Sequence, residues 1–403
     1  VVENALVVVD ATEGVALGTE RYAEVAKEYG IPRFFFVNKM KSPEVSASQI
    51  INELKEVFGS SVVPFQLPIG SGEGFKGVFD LLGGDISTLS SDLQEEAKTQ
   101  RDNLKESVIE LSEDLLNKYL EGEEIEEEQF NETLRRGIKD GEIIPVLFGD
   151  VKELIGVEEL LNFLEKYGSA PEDAPPVKAK KDGEEVEILR SREGPFVGYV
   201  FKTMTEAHLG ELYHIKVFSG KLEPGTEVLN TTRGRMEKVN QIYLVTGKER
   251  KEVKSLEAGA LGALVKLKET KTGHTLAEKN NPVVIEPVKF PEPLSSVAII
   301  PKTRADEEKV SEGLSRLMDE DPTFQFRYDP ELKQTLIYGL GEIHLEVIVS
   351  KLKEKFNVSV DTARPKIPYR ETIRKPAEAM GKYVKQTGGR GQYGICLLYT
   401  SDA

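Results

Sequence analysis

The residues that most clearly suggest chemistry are Asn38-Lys39-Met40-Lys41, which directly follow an apolar run at 33–37. That run predicts a buried strand, and a turn at the carboxyl end of a strand is where open α/β sheets bind nucleotides. An Asn-Lys-x-Asp turn suits guanine because Asn braces the loop, the Lys stem lies along the base, and Asp accepts two N–H groups. Lys41 puts a cationic donor in the place of that acceptor. The turn therefore predicts a nucleotide-binding fold with weakened guanine recognition.

A phosphate cradle of the type Gly-x-x-x-x-Gly-Lys-Ser/Thr is absent from the sequence. Such a loop holds the β- and γ-phosphates of a nucleoside triphosphate through backbone N–H groups and its Lys. The four histidines are scattered without metal-ligand spacing, and the one cysteine, Cys396, has no partner for a disulfide. We therefore expect no catalytic residue, no metal site and no nucleotide hydrolysis by this chain alone.

A second candidate site is the segment from Lys385 to Gly394, which holds four glycines, two cations and one aromatic residue. Glycines let a backbone approach a ligand closely, and cations neutralise phosphate. A flexible, solvated loop can have the same composition. The residues predicted to contact RNA are Lys382, Lys385, Gln386, Gly388, Gly389 and Arg390.

The composition of the 403 residues, with 39% hydrophobic and 30% charged residues, is that of a soluble globular protein with several domains. The net charge of −16 argues against a general nucleic-acid coat. The excess acid is concentrated at 91–142, whereas 364–390 is basic and could still meet phosphate. No apolar run is long enough to span a membrane, and cysteine usage fits a reducing compartment, so a cytoplasmic location is expected.

The first 170 residues alternate strand and helix, which predicts βαβ units and a mostly parallel sheet. We expect strands at 5–10, 33–37, 62–67 and 143–148, and helices at about 17–29, about 46–58 and from about 157 to 167. Residues 1–68 and 143–170 would form one partial nucleotide-binding domain, interrupted by an insertion at 69–142.

The remaining residues predict a β-barrel and a ferredoxin-like domain. Short β-rich runs broken by glycines at 190–281 indicate the barrel, which a proline-rich linker at 171–189 would precede. Residues 290–363 have the order strand, helix, strand, strand, helix, strand of the split βαβ motif. Residues 364–394 would begin a further domain, and 395–403 are expected to be a non-native tail.

Several long motifs in the same order resemble translation elongation factor G, the ribosomal translocase family, over nearly the whole chain. The motifs that carry the resemblance are Gln66-Leu67-Pro68-Ile69-Gly70, Val217-Phe218-Ser219-Gly220-Lys221, Gly339-Leu340-Gly341-Glu342-Ile343-His344, Pro368-Tyr369-Arg370-Glu371-Thr372 and Gln386–Gly394. The resemblance implies a P-loop-type GTPase domain, a family-specific insertion, a translation-factor β-barrel, a ferredoxin-like domain III and the opening of domain IV. It also implies a fragment truncated at both ends, without the phosphate loop and switches of the GTPase domain.

Against the family pattern, two base-contact motifs are changed. Lys41 replaces the guanine-reading Asp, and Gly149-Asp150-Val151 stands where the family has Gly-Ser-Ala, whose backbone touches the base. The predicted, weakened guanine contacts are Asn38, Lys39, Lys41, Gly149, Asp150 and Val151. His274 replaces an Asp that is usual in one barrel turn, and the stretch 206–211 is more like elongation factor G-like paralogues.

The resemblance implies GTP-dependent translocation of tRNA and mRNA by the intact protein, with GTP and Mg as cofactors. Its expected partners are the ribosome, through rRNA and stalk proteins, and tRNA, and we expect a monomer. This fragment itself is expected to bind neither cofactor tightly. A second hypothesis is a GTP-independent or ribosome-protection paralogue that acts as a binding factor, which Lys41 and Asp150 favour. A third is a related factor that recycles release factors, against which 377–394 argues.

Overall fold

A computed structural model of the chain describes residues 1–206, 210–370, 375–386, 388–389 and 391–399. The chain divides into two units, Val1–Phe201 with Tyr213–Glu286, and Lys202–Leu212 with Pro287–Ala403. Across the described residues, no helix has both the length and the apolar character needed to cross a membrane.

The first 170 residues alternate strand and helix, as predicted, with a helical body inserted before the last βα pair. The strands are β1 (Ala5–Asp10), β2 (Arg33–Asn38), β3 (Val62–Pro64), β4 (Gln66–Ile69), β5 (Gly77–Asp80) and β6 (Ile144–Phe148). The helices are α1 (Leu17–Glu28), α2 (Ala47–Phe58), α3 (Ser91–Ile109), α4 (Glu113–Glu121), α5 (Glu127–Asp140) and α6 (Val157–Tyr167).

The sheet of this region is parallel and has the order β1-β2-β6-β3. Strand β2 is buried on both faces: Phe34 and Phe36 pack into one core cluster, and Phe35 and Val37 into another. A continuous apolar run is the pattern of a parallel strand that is covered on both sides. This packing fixes where the turn after β2 emerges.

The prediction of a single strand at 62–67 is wrong. The structure has two strands there, because the chain changes its pairing partner at Phe65. Strand β3 pairs with β6, whereas β4 leaves the parallel sheet and pairs with β5 in an antiparallel hairpin. Pro64 has no N–H to donate to a continuing ladder. The hairpin leads into the three inserted helices.

The strands of the second region form mainly one eight-stranded sheet with the order β13-β12-β18-β9-β10-β17-β14-β15. Its core contains Phe196, Val200, Tyr213, Ile215 and Leu264. The strands in chain order are β7 (Val177–Lys181), β8 (Glu184–Ile188), β9 (Val197–Glu206), β10 (Gly210–Ser219), β11 (Lys221–Leu222), β12 (Glu227–Asn230), β13 (Arg235–Lys238), β14 (Ile242–Thr246), β15 (Glu249–Glu252), β16 (Leu256–Glu257), β17 (Leu261–Val265), β18 (Thr275–Ala277) and β19 (Val284–Ile285).

The linker predicted at 171–189 contains a β-hairpin instead. Strands β7 and β8 pair with each other, and β7 also pairs with β19. Ala179 and Ile188 are buried in a cluster with Val197 and Phe218. The sequence suggested a linker because most residues of the hairpin are charged. Its few apolar residues occupy alternate positions, and these side chains pack on the neighbouring sheet.

The described part of the second unit contains the predicted strand and helix order. Its elements are β20 (Ser295–Pro301), α7 (Arg304–Glu320), β21 (Gln325–Asp329), β22 (Gln334–Gly339), α8 (Glu342–Phe356), β23 (Val360–Ala363), β24 (Glu378–Gln386) and β25 (Gly391–Tyr399). The sheet order β21-β22-β20-β23 is that of the ferredoxin-like motif. Strands β24 and β25 form a separate antiparallel hairpin. The residues 395–399 of the predicted tail continue β25, and the origin of that tail stays a prediction.

Candidate functional site

The candidate nucleotide site begins where β1 and β2 end side by side. Asp10 is paired with Asn38 in the parallel register, and the Ala11 N–H donates to the Asn38 carbonyl at 2.9 Å. Lys39 has a positive φ of 65°, and its ammonium donates a hydrogen bond to the Asp10 carboxylate. This hydrogen bond lowers the pKa of Asp10 and raises the pKa of Lys39. The Lys39 ammonium is thus held over the end of β1.

Asn38 braces two loops, as the sequence predicted. Its Oδ1 accepts the Val151 N–H at 3.0 Å, and the Met40 N–H donates to the Gly149 carbonyl at 3.2 Å. Met40 is fully buried and anchors the turn in the core. The structure therefore brings the two predicted base-contact segments together, although they lie more than a hundred residues apart in sequence.

Gly149 is required by packing at the end of β6. A Cβ at this position would lie 2.5 Å from the Ile155 carbonyl oxygen and 2.6 Å from the Phe36 ring. Any larger residue would push the loop away from β2, and the loop carries the predicted base contacts. Packing alone therefore explains why this position is a glycine, whether or not a ligand binds.

Asp150 holds the two loops in place, a role that the sequence did not reveal. Its Oδ2 accepts the Lys41 N–H at 3.2 Å, and its Oδ1 accepts the Glu153 N–H at 3.3 Å. The residue is only 6% exposed, so its carboxylate is largely withdrawn from solvent. The short-range part of this arrangement, an Asp accepting from a following backbone N–H, is a known turn signal. The bond to Lys41 is long-range and carries no such signal.

Lys41 presents a cation where guanine needs an acceptor. Its Nζ lies 3.9 Å from a carboxylate oxygen of Glu153, and both side chains are substantially exposed. The N1–H and N2–H₂ groups of guanine are donors, so they require a free carboxylate rather than an ammonium. Both oxygens of the neighbouring Asp150 already accept backbone N–H groups. The residues present do not fit the usual recognition of guanine. Over the described ranges, no group of three His, Cys, Asp or Glu side chains is placed to hold a metal ion.

Comparison with known proteins adds an independent observation. Family models match the chain in order: the elongation factor Tu GTP-binding domain at 1–170, elongation factor G domain 2 at 195–279, domain III at 290–364 and domain IV at 365–402. The chain belongs to the elongation factor G family.

Curated relatives agree with this assignment over nearly all of the chain. An elongation factor G from Thermotoga petrophila is 40% identical over 99% of this chain and 59% of its own length. An elongation factor G-like protein from Thermotoga maritima is 42% identical over 97% of this chain and 58% of its own length. A solved protein from Thermus thermophilus superposes with a TM-score of 0.81 at 30% identity, covering 98% of this chain and 59% of that protein. The chain spans about three fifths of the length of the relatives that it matches.

The second predicted site lies on the hairpin that falls in the family's domain IV. Lys382, Lys385 and Gln386 lie on β24 and are exposed. Side chains alternate between the faces of a strand, so Lys382 and Gln386 share one face, and Lys385 lies on the other. Gly388 and Gly389 have φ values of 56° and 80°, which suit glycine in the turn between the strands. Arg390, like residues 207–209 of the paralogue-like stretch, is outside the described residues.

Proposed function

We propose that this chain is part of a translation factor that, in its intact form, binds the ribosome and promotes movement of tRNA and mRNA. The observation that carries the proposal is the ordered match to four domains of one family, together with the GTPase-type sheet that positions the turn after β2. GTP and Mg would be the cofactors of the intact protein, and rRNA, stalk proteins and tRNA its partners. We propose that it acts as a monomer.

The nucleotide part of this proposal is a weakened guanine site formed by Asn38, Lys39, Lys41 and the loop 149–151. The contacts of Lys41 and Asp150 support it, because Lys41 is a cation and the Asp150 carboxylate is 6% exposed and already accepts two backbone N–H groups. These contacts also favour the second candidate function, a paralogue that binds the ribosome without using GTP. The two candidates differ in whether nucleotide changes the affinity for the ribosome.

Calorimetric titration tests the guanine site directly. We expect no measurable binding of GTP or GDP to this chain, and micromolar affinity for either would refute the weakened site. The Lys41→Asp variant should bind guanosine more tightly by roughly 10- to 150-fold, because a hydrogen bond to a charged group contributes about 1.5–3 kcal/mol. Saturation-transfer NMR can follow this weak binding. Lys152→Asp, on the adjacent loop, is the control for the same change of charge.

Cosedimentation with ribosomes over a range of salt concentrations tests the RNA contacts. Reversal of charge at Lys382 or Lys385 should weaken binding and reduce the salt dependence by about one unit for each lost phosphate contact. Lys98→Glu, on the inserted helix α3, is the charge-matched control and should change neither quantity. Equal effects of all three variants would refute a specific contact through the hairpin. Binding that is unaffected by added GTP analogues would favour the second candidate function.

A further inference from the structure

A buried polar cluster joins two loops of the eight-stranded sheet, and the nucleotide and RNA contacts do not use it. One loop is the turn 231–234 between β12 and β13, and the other is the segment 266–274 that leads into β18. Both loops belong to the first unit of the chain. The 266–274 loop is held at two places, and the two attachments differ in chemistry.

The first attachment of the 266–274 loop is a buried carboxylate. Glu237, on β13, is buried and accepts the Lys268 N–H at 3.1 Å and the Glu269 N–H at 2.7 Å. It also accepts the Thr270 hydroxyl at 3.1 Å. Hydrogen bonds to a charged acceptor are strong. This attachment involves no histidine.

The second attachment is the imidazole of His274. Its Nδ1 accepts the Lys271 N–H at 3.1 Å and lies 3.1 Å from Nδ2 of Asn230. A backbone N–H can only donate, so Nδ1 carries no proton and the neutral ring is protonated at Nε2. Asn230, at the end of β12, is fully buried and donates to the same ring nitrogen. The neutral ring therefore ties the 266–274 loop to β12.

A proton on Nδ1 would remove both of these hydrogen bonds. Asn230 has no alternative arrangement, because its Nδ2 also donates to the Thr270 hydroxyl at 3.1 Å and its Oδ1 accepts the Arg233 N–H at 3.1 Å. Rotating the amide by half a turn would offer its oxygen to the ring but would turn Nδ2 towards the Arg233 N–H. Protonation thus leaves a donor without its acceptor in either arrangement, which is unfavourable in a buried site.

The surroundings of His274 favour the neutral ring in the folded state. Burial is the largest cause that lowers the pKa of His274, and the positive charges of Arg233 and Lys271 lower it further. The carboxylate of Glu237 and a hydrogen bond with the Glu269 backbone act in the opposite direction. Once the ring is protonated, it becomes a third cation beside Arg233 and Lys271.

The residue type at position 274 makes this attachment titratable. The family that the sequence resembles usually has Asp at this position, and a carboxylate stays an acceptor until the pH approaches about 3.9. Histidine changes its charge between about pH 5 and 8. The replacement therefore exchanges a permanent acceptor for one that acid removes.

From this geometry we propose that His274 is an acid-sensitive latch, whose neutral ring ties the 266–274 loop to β12 and whose protonation releases the loop around Lys271. Glu237 retains the other attachment. Because the pKa of His274 is lowered, the latch is complete above about pH 6.5. Below that pH the opening equilibrium shifts by up to about tenfold for each pH unit, until the pKa of the folded state is passed. The latch depends on neither nucleotide nor ribosome binding.

Hydrogen exchange of the full chain, followed by mass spectrometry from about pH 5 to 7.5, tests the latch. After division by the intrinsic exchange rates, protection of the Lys271 amide should fall by up to about tenfold per pH unit below about pH 6.5. The Lys268 amide, which Glu237 holds, should change by less than about twofold. Constant protection at Lys271 would overturn the proposal. An equal loss at Lys268 would also overturn it, because the whole loop would then open with acid.

The ring itself and two variants give further tests. Imidazole ¹⁵N shifts should show the Nε2–H tautomer of His274 at neutral pH, and the Nδ1–H tautomer would overturn the proposal. In His274→Asp, protection of the Lys271 amide should no longer depend on pH in this range, whatever its level. His344→Asn changes a histidine of the second unit and should leave the acid dependence intact. Persistence of the acid dependence in His274→Asp, or its loss in His344→Asn, would each contradict the latch.

Discussion

A buried ion cluster joins the segment before β1 to the second region of the first unit, and one substitution there should strongly destabilise the protein. Lys216, on β10, has a side chain that is only 2% exposed. Its Nζ lies 3.0 Å from the Glu3 carboxylate and 2.8 Å from the Gly259 carbonyl oxygen. Arg190 approaches the same carboxylate at 2.6 Å. One anion therefore compensates two largely buried cations.

Replacing Glu3 by Gln removes the only negative charge of this trio and leaves Lys216 and Arg190 facing each other. Breaking a buried ion pair by removing one partner costs about 3–5 kcal/mol. The side chains of Glu3 and Arg190 are 11% and 13% exposed, so we expect a value near the lower end, about 3 kcal/mol. Lys216→Met should cost somewhat less, about 2 kcal/mol, because Glu3 keeps Arg190 and only the hydrogen bonds of the Lys216 ammonium are lost.

Urea unfolding followed by circular dichroism, with hydrogen exchange of the β10 amides, measures these effects. The double variant Glu3→Gln/Lys216→Met should lose less stability than the sum of the single variants, because the pair interacts. Glu312→Gln is the control, since its ion pair with Arg316 is exposed and should contribute at most about 1 kcal/mol. The reasoning is refuted if Glu3→Gln costs no more than this control.

Three further predictions concern single contacts. Burial lowers the pKa of His274 from its ordinary 6.5, so the folded state binds fewer protons than the unfolded state. Stability should therefore fall as the pH drops below about 6.5. In thermal unfolding, the stability of His274→Asn should depend less on pH in this acidic range. Thr303→Ala removes the capping hydrogen bond to the Asp306 N–H, and urea unfolding should show a loss of about 1 kcal/mol. Asn38→Ala removes the hydrogen bond that the Val151 N–H donates to the Asn38 side chain. Losing this bond should cost about 1 kcal/mol, so hydrogen exchange at Val151 should become about fivefold faster. Unchanged exchange would contradict the bracing role of Asn38.

Much of the fold followed from local patterns. The strand at 5–10 and the helices α1 and α2 lie within one residue of their predicted bounds, because their apolar spacing is strong and local. The order of elements in 290–363 was predicted for the same reason. The hairpin 177–188 was missed because its strands depend on pairing with β19, which lies about a hundred residues later. Local composition there is dominated by Lys and Glu, which favour no strand by themselves.

For the candidate site, the sequence by itself determined the residue types: the bracing Asn38, the cation at Lys41 and the second loop at 149–151. The effect of Lys41 follows from its chemistry, because a cationic donor cannot replace a carboxylate acceptor at the edge of a base. Only the tertiary structure decided that Asp150 is not a free substitute acceptor. Its carboxylate is buried and accepts the N–H of Lys41 across 109 positions of sequence. Whether a polar group is free depends on which distant backbone donors packing brings to it, and no local pattern encodes that.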